Sequence, residues 1–151
     1  GVAMQLTNIA RDVGEDAKVH RRVYLPQAWL AEVGQTPQGL LADPAFTPAL
    51  GGLVARLLAE AEGYYRRANT GIGRLPWRCR FAIRAALLIY RDIGRVIARN
   101  GHDSVSQRAY TSLPRKLWLL SKALWAGVWT PRLDQSPPPA PVAVLVDPVG
   151  E

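Results

Sequence analysis

A chain of 151 residues carries one cysteine, one methionine and two phenylalanines, and lysine occurs only at 18, 116 and 122. The lone Cys79, between Arg78 and Arg80, excludes an intrachain disulfide and fits a reducing compartment; the common fate of such a thiol is burial. No apolar run approaches the roughly 20 residues that span a bilayer, and no signal-peptide pattern stands at the start. Zinc-finger spacing, basic-region heptads and RNA-binding signatures are missing too. The net charge of +7 and pI near 10.2 are therefore not read as nucleic-acid binding. Arginines scattered through every predicted helix suit a surface facing anionic lipid or a diphosphate. With 48% apolar and 21% charged residues, the chain has the composition and length of one globular domain. It opens on Gly1, and GVAMQLTNIA reads as helix interior with no capping residue ahead of it. The sequence is accordingly expected to be the C-terminal part of something longer.

What the chain does have is concentrated near its start. In QLTNIARDVGED, Gln5 to Asp16, the residues Asn8, Asp12 and Asp16 recur at intervals of four. Each such step in an α-helix advances about 400° and rises about 6 Å, so the three side chains share one face. That face is a row of oxygens. Asn and Asp on a helix are ordinarily a solvated surface, and Glu15 beside them ordinary surface charge. Here Asn, Asp and Gly14 all weaken helix propensity within the same turns. A segment that gives up propensity to hold oxygens in register is read as a site. Hard divalent cations such as Mg²⁺ take oxygen ligands, commonly one or two carboxylates together with substrate phosphates. With Gln5 ahead of the row, Arg11 inside it, and Arg21, Arg22 and Tyr24 after it, metal–diphosphate binding is the reading adopted.

QLTNIARDVGEDA followed by RVYLP resembles the second aspartate-rich motif of the phytoene synthase and squalene synthase family, most closely its bacterial phytoene synthases. The likeness continues through LPQAWLAEVG, LIYRDIGRVIARNG and DSVSQRAYTSLPRKL, to about residue 124. It implies an all-α, isoprenoid synthase type I fold, here incomplete at its N-terminus. It also implies head-to-head condensation of two prenyl diphosphates, with Mg²⁺ (Mn²⁺ as the alternative) held between two aspartate-rich motifs on facing helices. Carried over residue by residue, Asn8, Asp12 and Asp16 are the metal ligands, and Gln5, Arg11, Tyr24 and Arg108 contact substrate. Tyr90, in LIYRDIG, lines the substrate site, and Asp12, Asp16 and Tyr90 are the catalytic set. Geranylgeranyl diphosphate would give phytoene through a cyclopropyl diphosphate intermediate, as in carotenoid biosynthesis. The alternatives are a squalene-type synthase using farnesyl diphosphate, or a non-catalytic interaction or assembly protein that kept the scaffold. No second D-x-x-x-D occurs, so this chain by itself is expected to be inactive. The family pattern commonly has a Gly, and one residue fewer, before the tyrosine; Val19-His20-Arg21-Arg22 stands here. The expected location is cytoplasmic, in keeping with the single thiol, with peripheral contact at the inner face of the membrane as the further option.

In chain order, a first helix is predicted over Val2–Asp16, then a basic loop in which His20 is simply solvated. Pro26 suits the first turn of a short helix ending near Gly34. Residues 35–46, with Pro37, Gly39 and Pro44, read as a connection. Thr47 is an N-cap and Pro48 the first residue of a helix to about Ala68. Gly71 and Gly73 interrupt before a long helix to Asn100, stopped by Gly101, whose buried stripe is Ala82, Ala85, Ala86, Ile89, Ile93, Val96 and Ile97. Ser112 caps a last helix through about Trp129. Its Trp118, Trp125 and Trp129 share a face with Lys116 and Lys122 nearby, suited either to packing on helices, the preferred reading, or to a membrane surface. Residues 1–130 are taken as the domain and 131–151, rich in proline, as a loosely ordered tail.

Overall fold

Apolar residues spaced three and four apart set the architecture. The computed structural model describes residues 1–126, and every regular element among them is helical: α1 (Val2–Glu15), a π-helical turn (Asp16–His20), α2 (Gln27–Glu32), α3 (Pro37–Ala42), α4 (Pro48–Gly71), a short 3₁₀ turn (Ile72–Arg74), α5 (Trp77–Arg99) and α6 (Leu113–Ala126). The expected tail and the last turns to Trp129 lie outside the described residues.

Helix α1 lies against both α4 and α5, and α6 packs on α5. The buried face of α1 is made of small residues, Ala3, Thr7, Ala10 and Gly14, with Val13 beside them. Small side chains let backbones approach, and Leu50, Leu53, Val54 and Leu57 of α4 with Ile93 and Ile97 of α5 complete the main core. Leu30, Leu50 and Ile97 are among the largest side chains shut off from solvent, each contributing about 1.5–3 kcal/mol by burial. A smaller cluster gathers Ala3, Ala61, Tyr65, Ile72 and Leu87. Inside it the Thr7 and Tyr65 hydroxyls share a hydrogen bond of 2.8 Å, and Thr7 Oγ1 also donates to the Ala3 carbonyl.

Capping follows the expected grammar at α4, where Thr47 Oγ1 accepts from Leu50 N–H at 3.1 Å with Pro48 in the first turn. Helix α3 corrects the expectation of a bare connection over 35–46. Thr36 and Pro37 repeat the Thr47–Pro48 pattern, with Thr36 Oγ1 accepting from Gly39 N–H at 3.0 Å. In α5 the buried face differs from the expected stripe. Ala85, Ile93 and Ile97 are buried as anticipated, but Ala82 is exposed, and Arg84, Leu87 and Asp92 are buried in addition. Asp92 is buried because α6 supplies a partner: Arg115 donates to its Oδ1 through Nε (3.1 Å) and Nη2 (3.0 Å). Cys79 is exposed, contrary to the usual fate of a free thiol.

The stretch ahead of Tyr24 leaves α-helical geometry. An i→i+5 turn holds one more residue than an α-turn, and the chain widens into this π-helical turn over Asp16–His20, closing on Arg21 at φ 53°. That left-handed conformation is one a glycine adopts freely and an arginine does not. Arg21 is held there by Nη1 donating to the Leu41 carbonyl at 2.7 Å. Replacing Arg21 by Gly relieves the backbone and forfeits an exposed hydrogen bond, for a net gain of about 0.5–1 kcal/mol. A thermal melt should rise by about 2–3 °C; an unchanged or lowered midpoint would mean that the side-chain contact dominates.

Candidate functional site

Helix α1 shows two faces. Ala3, Thr7, Ala10 and Gly14 form the buried row, and Gln5, Asn8, Asp12 and the start of the π-helical turn at Asp16 form the opposite one. Asn8, Asp12 and Asp16 are partly buried and Gln5 is exposed. The small residues that seat the helix thus turn its oxygens outward.

Asp12 is the centre of the charge arrangement. Arg11 grips both of its oxygens, Nε to Oδ1 at 2.8 Å and Nη2 to Oδ2 at 2.6 Å. Arg108 reaches in from the α5–α6 connection, 96 positions along the chain, with Nε on Asp12 Oδ1 at 3.1 Å and Nη1 paired with Glu15 Oε2 at 2.9 Å. Two guanidinium groups therefore converge on one carboxylate. Burial works to raise the proton affinity of Asp12, but the Arg11 hydrogen bonds and the charges of Arg11 and Arg108 outweigh it and hold the carboxyl below its ordinary range. Arg11 is correspondingly raised, chiefly by its bond to Asp12. Asp16, one turn on, behaves oppositely. Burial first, and then the neighbouring Asp12 charge, push its carboxyl above the ordinary range. Like charges on one face oppose each other's ionisation.

The remaining expected residues are gathered around this pair. Tyr90 is partly buried on α5, packed against both hydrophobic clusters, and close enough to Arg11 to bear on its charge. Tyr24 is exposed, accepts a hydrogen bond from Arg22 Nη1 at 3.3 Å, and lines with Asp16, Ile9 and Val13 a cavity of about 10 Å³, room for a single water. A larger cavity of about 220 Å³ meets α1 at Thr7, on its buried side, between Glu62, Tyr65, Arg91 and Arg95. Neither of these, at about 10 and 220 Å³, is a long apolar cavity. Arg11 and Arg108 both point at Asp12 instead of standing open. Among the described residues, no group of three or more His, Cys, Asp and Glu side chains is arranged to hold a metal by itself.

Three residues passed over in the sequence belong to this site. Glu15, read as surface charge, is the second anchor of Arg108. Gly14, read as a cost to helix propensity, is where the α5–α6 connection touches α1: its N–H donates to the Ser104 carbonyl at 2.9 Å. Lys18 adds Nζ to the Val105 carbonyl at 2.8 Å. Spacing shows such contacts only within a helix, and these cross about 90 residues.

The squalene/phytoene synthase family model matches residues 1–115. Phytoene synthase of Rhodobacter capsulatus is 44% identical over 97% of this chain and 44% of its own length. That of Cereibacter sphaeroides is 44% identical over 91% of this chain and 37% of its own length. The 15-cis-phytoene synthase of Enterobacter agglomerans is 49% identical over 82% of this chain and 41% of its own length. The chain thus spans less than half the length of these curated relatives.

The opposed shifts of the two aspartates set opposite signs. The stabilisation from Asp12, whose carboxyl is lowered, is present above the ordinary carboxylate range and is lost as pH falls through its lowered value. Asp16 is raised, so its contribution favours the fold at low pH and disappears as pH rises through the raised value. At pH 7 in chelator, Asp12→Asn should lower the melting temperature by a few degrees, from about 1 kcal/mol of lost charge-assisted bonding. Asp16→Asn should leave it unchanged or raise it. A melt in which Asp16→Asn destabilises as much as Asp12→Asn would contradict the charge arrangement.

Proposed function

Since the chain belongs to the squalene/phytoene synthase family, we propose that it supplies the second aspartate-rich half of a head-to-head prenyl synthase. In this reading geranylgeranyl diphosphate is condensed to phytoene in carotenoid biosynthesis. The observation that carries the reading is the outward row Asn8, Asp12 and Asp16 on α1, with Arg11 and Arg108 closing on Asp12. The names of the relatives, phytoene synthases from three bacteria, favour the C20 substrate over farnesyl diphosphate.

The donor set fits a hard divalent cation. Two carboxylates and an amide stand on one face, and Asp16, raised first by burial, also feels the like charge of Asp12, which a cation between them would offset. As the described residues do not enclose a metal by themselves, substrate diphosphate oxygens would complete the coordination, as is usual for Mg²⁺. Bound there, Mg²⁺, or Mn²⁺ in its place, supplies Lewis acidity that lowers the cost of diphosphate departure. Arg11 and Arg108 contribute fixed positive charge where the leaving group gathers its electrons, and Gln5 a hydrogen-bonding amide at the end of the row. When the allylic C–O bond breaks, the electron pair leaves with diphosphate and the carbon chain is left cationic. A double bond of the second prenyl diphosphate then attacks that carbon, and loss of a proton from the resulting cation closes the ring of the cyclopropyl intermediate. Tyr90 and Tyr24 line the approach, where an aromatic face stabilises positive charge.

For a partner beyond substrate, we assign an anionic bilayer surface to the outer face of α6. No described helix is long and apolar enough to cross a membrane. Leu113, Leu117, Trp118, Leu124 and Trp125 are nonetheless exposed, Trp125 by 80%, so within the described residues this face does not pack on the core. The helix carries no Asp or Glu, and Arg115 and Lys122 lie against the Trp118 ring. Tryptophan, leucine and cations on one face suit the headgroup boundary, and in this reading the protein works at the cytoplasmic side.

In the protein as its gene encodes it, Asp12→Ala and Asp16→Ala should each reduce Mg²⁺-dependent diphosphate release from geranylgeranyl diphosphate by about 100-fold or more, with helical circular dichroism retained. Wild-type turnover in both would remove the site assignment. Mass spectrometry of the hydrocarbon formed from labelled C15 and C20 diphosphates settles the substrate. Separately, Trp125→Ala combined with Leu124→Ala should cut sedimentation with phosphatidylglycerol vesicles at least several-fold; binding equal to the parent would return this face to protein packing.

A further inference from the structure

We propose that Gly14 and Lys18 are positioning residues for Arg108, acting through the α5–α6 connection. The inference rests on the reading of Arg108 as a diphosphate contact and adds what fixes its place. Arg108 is 49% exposed and sits on a segment without regular secondary structure, so its side chain alone does not determine where its charge lies. The segment is pinned three residues earlier, and three residues of chain span at most about 10 Å. The location of the pin therefore limits where the guanidinium can reach.

The pin is built from backbone. Gly14 N–H donates to the Ser104 carbonyl at 2.9 Å, and Lys18 Nζ donates to the Val105 carbonyl at 2.8 Å. A Cβ added at Gly14 would stand 2.4 Å from Val105 O, 2.7 Å from Val105 Cα and 2.9 Å from Ser104 O. None of these atoms belongs to a side chain that could rotate away, so the connection itself would have to move off α1. It would move as a unit. Asp103 Oδ1 accepts from the N–H groups of Val105 and Ser106 at 3.0 and 2.8 Å, and Ser104 and Val105 are buried. A shift at Gly14 is thereby passed to Arg108, whose hydrogen bond to Asp12 at 3.1 Å and ion pair with Glu15 at 2.9 Å depend on its place. A misplacement of about 1 Å can cost as much as 100-fold in a site that works by orientation.

The test is a double-mutant cycle in the protein as its gene encodes it, read by calorimetric binding of inorganic diphosphate with Mg²⁺ and by KM and kcat for geranylgeranyl diphosphate. Arg108→Ala should weaken diphosphate binding about 10-fold or more. Gly14→Ala should come close to it, and the pair together should be no worse than Arg108→Ala alone, because the glycine acts only through the arginine. Lys18→Met, at an exposed position, should weaken binding about 3-fold, and Lys18→Arg should restore it. If Arg108→Ala binds diphosphate like the parent, the reading of Arg108 is lost. If Arg108→Ala weakens binding while Gly14→Ala and Lys18→Met do not, or if the losses multiply in the double variants, the positioning role is overturned and the reading of Arg108 stands. Should Gly14→Ala fail to fold by circular dichroism, Lys18→Met and its cycle with Arg108→Ala decide alone.

Discussion

The close seating of α1 through small side chains is the constraint from which the site follows. Ala3, Thr7, Ala10 and Gly14 bring the helix backbone down onto α4, α5 and the connection beyond α5. A helix fixed along one side has its opposite side fixed as well, so the row from Gln5 to Asp16 takes its direction from packing and not from its own contacts. Helices that lose propensity to Asn, Asp and Gly must be held by tertiary burial. Thr7 adds direction to that burial, because the bond between its hydroxyl and Tyr65 sets the rotation of α1 against α4.

Within the row, identical side chains have been given different electrical surroundings. Asp12 lies between two guanidinium groups and stays ionised at the expense of burial; Asp16 carries burial and a like charge and holds its proton more tightly. The contrast is one of neighbours, since both are aspartates one turn apart. Arg108 spans Asp12 and Glu15, so a change in charge at either is felt by a residue from a distant part of the chain. Placing an arginine where it spans two carboxylates also limits how far it swings.

Local grammar was readable where the signal and the structure are both local. Thr47–Pro48 opens α4 as its sequence says, and Gly101 takes the positive φ (68°) that follows the end of α5. The same grammar at Thr36–Pro37 went unread because Gly39 and Pro44 nearby argue for a loop, though Thr36 caps α3 as Thr47 caps α4. That Asn8, Asp12 and Asp16 share one face was legible from spacing four. Asp92 was not, since an acidic residue on a buried face is unreadable until the arginine that pairs with it, 23 positions on, is in view. Gly14 shows the same limit from the other side. Its cost to the helix is visible in sequence, but its reason, backbone less than 3 Å from where a Cβ would be, exists only in three dimensions.

Helix α5 joins the two halves of this arrangement. Tyr90 and Asp92 are two residues apart, about 200° around the helix, so the first faces the Arg11 side of α1 and the second faces α6. Asp92 is nearly sealed from water, with Oδ1 paired to Arg115 and Oδ2 left without a hydrogen bond. A buried carboxylate of this kind ties itself to its partner, because removing the cation strands a charge at a cost well above what the pair contributes. Arg115 in turn lies 4.5 Å over the Trp118 ring, at the edge of the exposed face of α6. The residues that anchor α6 to the core are thus adjacent to those it offers outward, and the connection carrying Arg108 runs between α5 and this anchored helix. Its two ends are fixed, one at Gly14 and the other at Asp92, and that is why an irregular segment can hold a charge in one place.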